Sequence, residues 1–317
     1  MKRILILANF DVGLYKFRKE LIQELLDQGN EVYISLPDGE LVRSLEKMGC
    51  KFVNTAVDRR GINPKTDAKL MFFYKKLIKK LHPDLVITYT IKPNIYGGLM
   101  CRMLRVPYAV NITGLGTAFQ SESAVKKLVT FLYKIALKKA KVVFFENIGN
   151  KQTFLDLHIL KEKQICVLNG AGVNLAEYPF CEYPSENETR FLFIGRVMKE
   201  KGVDELFEAA ERIKKQHSDV FFDVVGPMED DYKSRIEELV KKGVVVYHGY
   251  QKDVKPFIEN CHCFVLPSYH EGMANTLLEA GAMGRPLITS NIHGCLEAVE
   301  EGRNGYLAEA KNAESLL

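Results

Sequence analysis

With 317 residues, 47% of them hydrophobic and 26% charged, the chain has the composition of a globular protein long enough for two domains, which excludes the disordered and fibrous classes. Seven scattered cysteines without a CxxC pair exclude a disulfide scaffold and point to reduced thiols in a cytoplasmic protein. The net charge of +4 hides a division: residues 1–178 carry 28 Lys+Arg against 16 Asp+Glu, and residues 179–317 carry 16 against 24, so the first half is the one suited to an anionic surface.

The opening run Met1-Lys-Arg-Ile-Leu-Ile-Leu-Ala-Asn9 is too short for a secretory signal, and Asp11 and Lys16 follow at once, so it reads as a first core strand. No uninterrupted apolar run reaches transmembrane length. Strand-like runs follow at 31–36, 51–57, 84–90, 108–113, 141–147 and 164–168, with helical patterns at 15–28, 66–81, 94–104 and 124–139. Apolar strands alternating with helices specify a parallel sheet covered on both faces. Gly170, Gly172, Pro179, Pro184 and a polar Ser-Glu-Asn-Glu-Thr run interrupt the alternation, so 1–170 reads as one domain and 171–189 as a linker. The pattern restarts in a second domain, 190–317, with strands at 190–195, 220–225, 244–248, 263–267, 286–290 and 305–308. The fold class is therefore α/β: two tandem Rossmann-like doubly wound domains, with a substrate cleft expected between them.

Chemistry concentrates in the second domain. Gly195-Arg196 ends a strand and Lys201-Gly202 begins the next helix, so two cations sit where a diphosphate could be held. Farther on, Glu271-Gly-Met-Ala-Asn-Thr-Leu-Leu-Glu279 follows the strand at 263–267. Gly272 permits a tight loop, Asn275 reads as a helix N-cap, and Glu279 falls about one turn inside that helix. A helix N-terminus between two carboxylates suits an anion beside sugar hydroxyls. Cys261-His-Cys263 has the spacing of a metal-ligand fragment, but without a second cluster it reads as the start of a buried strand.

Gly195-Arg-x4-Lys-Gly202, Val225-Gly226, Glu271-Gly-x6-Glu279, Gly281, Gly284-Arg-Pro286 and Gly294…Glu297-Ala-Val…Gly302-x-Asn-Gly305 together resemble family 4 of the retaining glycosyltransferases, of GT-B architecture. Tyr89-Thr-Ile-Lys-Pro-Asn94 and Asn111-Ile-Thr-Gly-Leu-Gly116 resemble a bacterial branch acting on polyprenyl-diphosphate-linked glycans of capsule, O-antigen or protein glycosylation pathways. The resemblance implies catalytic roles for Glu271 at the transferred hexose and for Arg196 and Lys201 at the diphosphate. It implies donor binding by Glu279 at the ribose, by Gly13 and Gly226, and by backbone amides of Met273, Ala274, Asn275 and Thr276. Thr113, where many members have His, and Lys92 are the implied sugar or acceptor contacts. No Asp-x-Asp occurs, so no metal or other cofactor is expected. Members of the family usually continue into a helix that crosses back to the first domain, which is expected to be lacking here.

The implied activity is transfer of a hexose, expected to be an N-acetylhexosamine, from a UDP-sugar to a lipid-linked saccharide. A UDP-sugar 2-epimerase and a nucleotide-sugar-binding scaffold are the alternatives. The segments holding Lys75, Lys76, Lys79 and Lys80, and Lys126, Lys127, Lys134, Lys138, Lys139 and Lys141, add an expected anionic membrane partner on the cytoplasmic face. In the second segment Leu128, Phe131, Leu132 and Ile135 are expected to form the apolar face. No nucleic-acid motif accompanies the basic charge.

Overall fold

The protein is described by a computed structural model covering residues 1–56, 63–116, 119, 123–185 and 188–317. Val57, expected to end the third strand, and Glu186 and Asn187 of the expected linker lie outside the described residues. The chain forms two compact units, Met1–Ala171 and Gly172–Leu317.

The first unit is built on a seven-stranded parallel sheet of order β3-β2-β1-β4-β5-β6-β7. Its strands are β1 (Arg3–Leu7), β2 (Glu31–Leu36), β3 (Lys51–Asn54), β4 (Leu85–Tyr89), β5 (Tyr108–Ile112), β6 (Val142–Phe145) and β7 (Ile165–Val167). Leu5, Ile6, Leu7 and Ile34 are buried because helices cover both faces. Leu14 and Ile22 of α1 (Asp11–Asp27) and Leu45 of α2 (Val42–Met48) pack on one face. On the other lie α3 (Pro64–Leu81), α4 (Gly98–Leu104), α5 (Ala124–Ala136) and α6 (Ile148–Asp156). Tyr133 and Phe145 close on Phe154 with ring centroids 5.2 and 5.1 Å away.

Local chemistry sets the helix ends. Asn63 accepts from the Lys65 amide ahead of α3, with Pro64 opening the helix, and Ser123 accepts from the Lys126 amide at α5. α1 begins four residues before the expected Tyr15, because the Asp11 carboxylate accepts from Val12 N–H and from Leu41 N–H. The helix expected at 94–104 divides into a π-helical turn, Pro93–Gly97, and α4. The apolar face of α5 also differs from expectation. Val129, Tyr133 and Ala136 pack on the sheet, whereas Phe131 is 59% exposed and Leu128 45%.

The second unit has a six-stranded parallel sheet, β10-β9-β8-β11-β12-β13. Its strands are β8 (Thr189–Ile194), β9 (Val220–Val225), β10 (Val246–Gly249), β11 (Cys263–Leu266), β12 (Leu287–Ser290) and β13 (Gly305–Ala308). The helices are α7 (Val203–Gln216), α8 (Lys233–Lys241), α9 (Lys255–Glu259), α10 (Asn275–Ala282) and α11 (Ala313–Leu316). Arg285, between α10 and β12, is 2% exposed, lies over the Tyr183 ring at 5.4 Å, and directs its hydrogen bonds to carbonyls. Its Nε donates to Ile258 O at 3.0 Å, and its Nη2 to Glu182 O at 2.8 Å and to Cys181 O at 3.2 Å. One side chain thus ties the start of the unit to the carbonyl end of α9, where the peptide dipoles favour a cation.

Arg285→Met leaves those carbonyls without a donor and should cost about 3 kcal/mol, read as a lower urea midpoint for the second unit's transition with the first unit's unchanged. Arg285→Lys, which cannot span all the carbonyls, should recover less than half of the loss.

Cys261 and Cys263 are buried with their thiols on carbonyls of Ile258 and Phe264. His262 uses both ring nitrogens, Nδ1 accepting from Arg190 N–H and Nε2 lying 3.2 Å from Ser185 O. The Cys-His-Cys fragment is therefore strand packing. Burial pushes the thiols of Cys101, Cys261, Cys263 and Cys295 up to about 12 and that of Cys50 to about 11. Native protein at pH 8 should accordingly release only Cys166 and Cys181 to a thiol reagent, with the other five reacting on unfolding. A thiol whose folded pKa is raised stabilises fully below its unfolded value of 9.0, so the urea midpoint should fall as pH rises from 9 toward 11.

Candidate active site

The strand order reverses between β8 and β11, so the loops leaving their carboxyl ends diverge and open a crevice at the sheet edge. The loop after β8 contains Arg196 and a three-ten turn, Lys199–Lys201; the loop after β11 contains Glu271. They are locked backbone to backbone. Gly202 has φ +69°, and a Cβ there would lie 1.9 Å from the Pro267 carbonyl oxygen. The Tyr269 amide donates to Glu200 O at 2.9 Å. Gly226, after β9, has φ +141° and would place a Cβ 1.9 Å from the Gly195 carbonyl oxygen. Only glycine allows either approach.

This frame brings Lys201 onto Glu271. Lys201 Nζ donates to Glu271 Oε1 in a largely buried ion pair, and Ser268 Oγ donates to the same oxygen at 2.7 Å. The Gly294 backbone presses against Glu271 and Gly272, and Gly294 O accepts the Ala274 amide at 2.8 Å. Below the loop, burial first and then the Glu271 carboxylate push the Cys295 thiol up. Tyr269 donates to the Glu205 carboxylate at 2.7 Å. The loop carrying Glu271 is thus fixed by several independent contacts.

The other expected residues are placed as follows. Arg196 is half-exposed and pairs with Glu229, Nη1 to Oε1 3.2 Å, and does not join the Lys201–Glu271 pair. Glu279 lies in α10 and shares a hydrogen bond with Tyr178, whose hydroxyl pKa is raised by burial and by that carboxylate. Two expectations at the helix start are corrected. Ala274 precedes α10, and Asn275 is its first residue, making no side-chain cap. Its Oδ1 is buried without a partner. The Ala274 amide is spent on Gly294, so the amides able to face a ligand come from the rest of 273–276. Met273 is buried and Thr276 lies in the first turn of α10.

In the first unit the order reverses between β1 and β4. Gly13 falls inside the first turn of α1, where a Cβ would crowd the Phe10 ring at 3.0 Å. Thr90, immediately after β4, has φ +72°, a strained conformation for a β-branched side chain. Thr113 follows β5 and is partly buried. Lys92, expected as an acceptor contact, makes a buried ion pair with Asp67 at 2.8 Å. At the same edge Arg18 binds the buried Glu146 and lies over the Tyr89 ring at 5.2 Å. Burial raises the Glu146 pKa and Arg18 opposes it.

Sequence reasoning missed Ser268, Tyr178 and the Arg18–Glu146–Tyr89 group. Ser268, three residues before Glu271, was visible in the local pattern; the partners 101 and 128 positions apart left no sequence signal. Among the described residues, no three His, Cys, Asp or Glu side chains are grouped to hold a metal.

Two family profiles match the chain: "Glycosyl transferases group 1" over residues 177–317 and "Glycosyl transferase 4-like" over residues 3–147. The chain is 31% identical to the N,N'-diacetylbacillosaminyl-diphospho-undecaprenol alpha-1,3-N-acetylgalactosaminyltransferase of Campylobacter jejuni, covering 99% of this chain and 87% of that protein. It is 28% identical to the UDP-Gal:alpha-D-GlcNAc-diphosphoundecaprenol alpha-1,3-galactosyltransferase of Escherichia coli, covering 81% of this chain and 70% of that protein. A glycosyltransferase from Rickettsia africae superposes with a TM-score of 0.82 at 22% identity, covering 99% of this chain and 86% of that one. With a relative of that identity along nearly its whole length, and with two parallel-sheet Rossmann-like units, the chain belongs to the family 4 glycosyltransferases of the GT-B fold class.

Proposed function

We propose that the protein is a retaining, metal-independent glycosyltransferase that moves an N-acetylhexosamine from its UDP donor to a polyprenyl-diphosphate-linked saccharide. The observation carrying this reading is the Lys201–Glu271 pair, held at the carboxyl edge of the second sheet where its strand order reverses. The activities of the Campylobacter and Escherichia coli relatives, both named for diphospho-undecaprenol saccharides, support the acceptor class.

In this reading Lys201 and Arg196 exchange their carboxylate partners for the donor diphosphate and stabilise the charge that develops on it. Glu279, oriented by Tyr178, accepts from the ribose hydroxyls. Glu271, fixed by Ser268, faces the hexose near its anomeric carbon. The amide of Thr276 and the N-terminus of α10 face donor oxygens. The C1–O bond to UDP breaks as the acceptor oxygen adds to C1 from the same face, and the acceptor proton passes to the departing phosphate oxygen. Thr113 donates a hydrogen bond to the sugar. Protein cations do the work of a metal at the diphosphate.

The first unit supplies the membrane contact, placing the enzyme at the inner face of the cytoplasmic membrane. Lys76, Lys79 and Lys80 of α3 are exposed beside Phe72, which is 58% exposed. α3 packs on α4 and α4 on α5. No described helix is long and apolar enough to cross a membrane.

The test is a UDP-sugar panel with a short polyprenyl-diphosphate saccharide, read by mass spectrometry. UDP-N-acetylhexosamines should give product with the anomeric configuration retained, in the presence of chelator. Lys201→Ala and Arg196→Ala should lower kcat about 10²–10³-fold. Glu279→Ala should act mainly on donor KM, raising it roughly tenfold or more. Glu271→Ala should abolish transfer while UDP still binds. An epimerised or hydrolysed sugar formed without acceptor, or no transfer from any donor, would overturn the proposal.

A further inference from the structure

The amino edge of the first sheet, opposite the edge that holds Thr90 and Thr113, carries an open cavity of about 770 Å³. It lies between the end of α5, the three-ten turn Leu137–Lys139, the end of α6 and the turn Glu162–Gln164. Lys134, Lys138, Lys139, Lys141, Lys161 and Lys163 line it, with His158 at one wall, and no lining residue is acidic. Its size is within the roughly 300–1,000 Å³ of small-molecule sites.

The ordinary role of lysines at a helix C-terminus is to satisfy its last carbonyls. Here other side chains already do so. Arg102 donates to Ile135 O at 2.8 Å, the Tyr108 hydroxyl to Ala136 O at 2.5 Å, and Gln164 Nε2 to Leu137 O and Ala140 O at 3.3 and 3.2 Å. The acids on the bordering elements are also engaged: Asp156 accepts from Gln152, and Glu162 pairs with Lys151. Among the described residues none of the six lysines pairs with an acid. Six like charges around one cavity repel one another, and a bound anion relieves that cost.

An adjoining cavity of about 220 Å³ shares Lys134 and is lined by Lys126, Lys127, Thr130, Phe131 and Leu157. Phe131 is exposed there, and Leu128 and Val125 are exposed on the same helix. Large apolar side chains standing among lysines suit the boundary between phosphate headgroups and acyl chains better than a soluble anion. The geometry points to the lysine cavity as a binding site for the phosphate headgroup of an anionic membrane phospholipid, with Phe131 and Leu128 inserted beside its acyl chains. This rests on the proposed membrane docking and adds a discrete, saturable site to it.

The test titrates the whole protein with monomeric dihexanoyl phosphatidylglycerol below its micelle concentration. Dihexanoyl phosphatidylcholine and inorganic phosphate are the controls. Sedimentation with vesicles of three parts phosphatidylcholine to one part phosphatidylglycerol reports docking itself. The expected result is one saturable site for the phosphatidylglycerol monomer, lost in the triple variant Lys138→Ser, Lys139→Ser, Lys141→Ser and kept when the same three become Arg. Vesicle affinity of the serine variant should fall about a hundredfold, at about 1 kcal/mol for each of the three lysines removed. Phe131→Ala should weaken vesicle binding and leave inorganic phosphate binding unchanged. Vesicle binding without monomer binding overturns the cavity and leaves membrane docking standing; binding to neither overturns both. Inorganic phosphate binding as tightly as the lipid overturns the headgroup assignment.

Discussion

The carboxyl edge of the second sheet depends on one steric constraint, the approach of the Gly202 backbone to the Pro267 carbonyl. A side chain at residue 202 would need the space that the carbonyl oxygen fills. Because it has none, the loop after β8 lies flat against the loop after β11, and Lys201 reaches Glu271. The same device recurs where Gly226 meets Gly195 and where Gly294 meets Glu271 and Gly272. The positions of Lys201 and Glu271 are thereby referred to the sheet. A loop held only by side chains would not give that precision.

The charges at this edge are stored in pairs. Lys201 with Glu271 and Arg196 with Glu229 each give up a partner if an anion enters, so an anionic ligand must compete with a carboxylate for its cation. The two pairs differ in kind. Arg196–Glu229 is half in water, where such a pair contributes roughly 0–1 kcal/mol, so exchange is cheap. Lys201–Glu271 is largely out of water, and Ser268 holds the carboxylate when the ammonium turns away. Glu271 therefore keeps its orientation through the exchange.

Much of the fold was legible because its strands are short apolar runs buried on both faces, each bounded by polar or turn residues. Strand ends shifted by one to three residues, as at β10, where Val244 and Val245 are buried ahead of the strand proper. The apolar face of α5 was not legible. Leu128 and Phe131 belong to a helical stripe by spacing, but the sheet takes Val129, Tyr133 and Ala136 instead, a choice made by tertiary contact. Asn275 has the chemistry of a cap, yet the Ala274–Gly294 hydrogen bond fixes the helix start one residue earlier. The spacing of Glu271 and Glu279 was visible, and their partners were not. Tyr178 and Lys201 come from other elements, and only the topology brings them together.

The uneven charge of the chain takes on meaning from how its cations are held. In the acidic second unit Arg196 and Lys201 each face a carboxylate. In the basic first unit two groups of cations contrast. Arg18 and Lys92 are buried with Glu146 and Asp67 and serve the fold. The lysines at the end of α5 and before β6 and β7 stand around a cavity whose neighbouring carbonyls and acids are already satisfied. A paired cation in a narrow crevice discriminates, because a ligand must outbid the existing carboxylate. An unpaired cluster on an open surface attracts at long range and yields to salt. The first arrangement suits a small anionic ligand and the second an extended anionic surface.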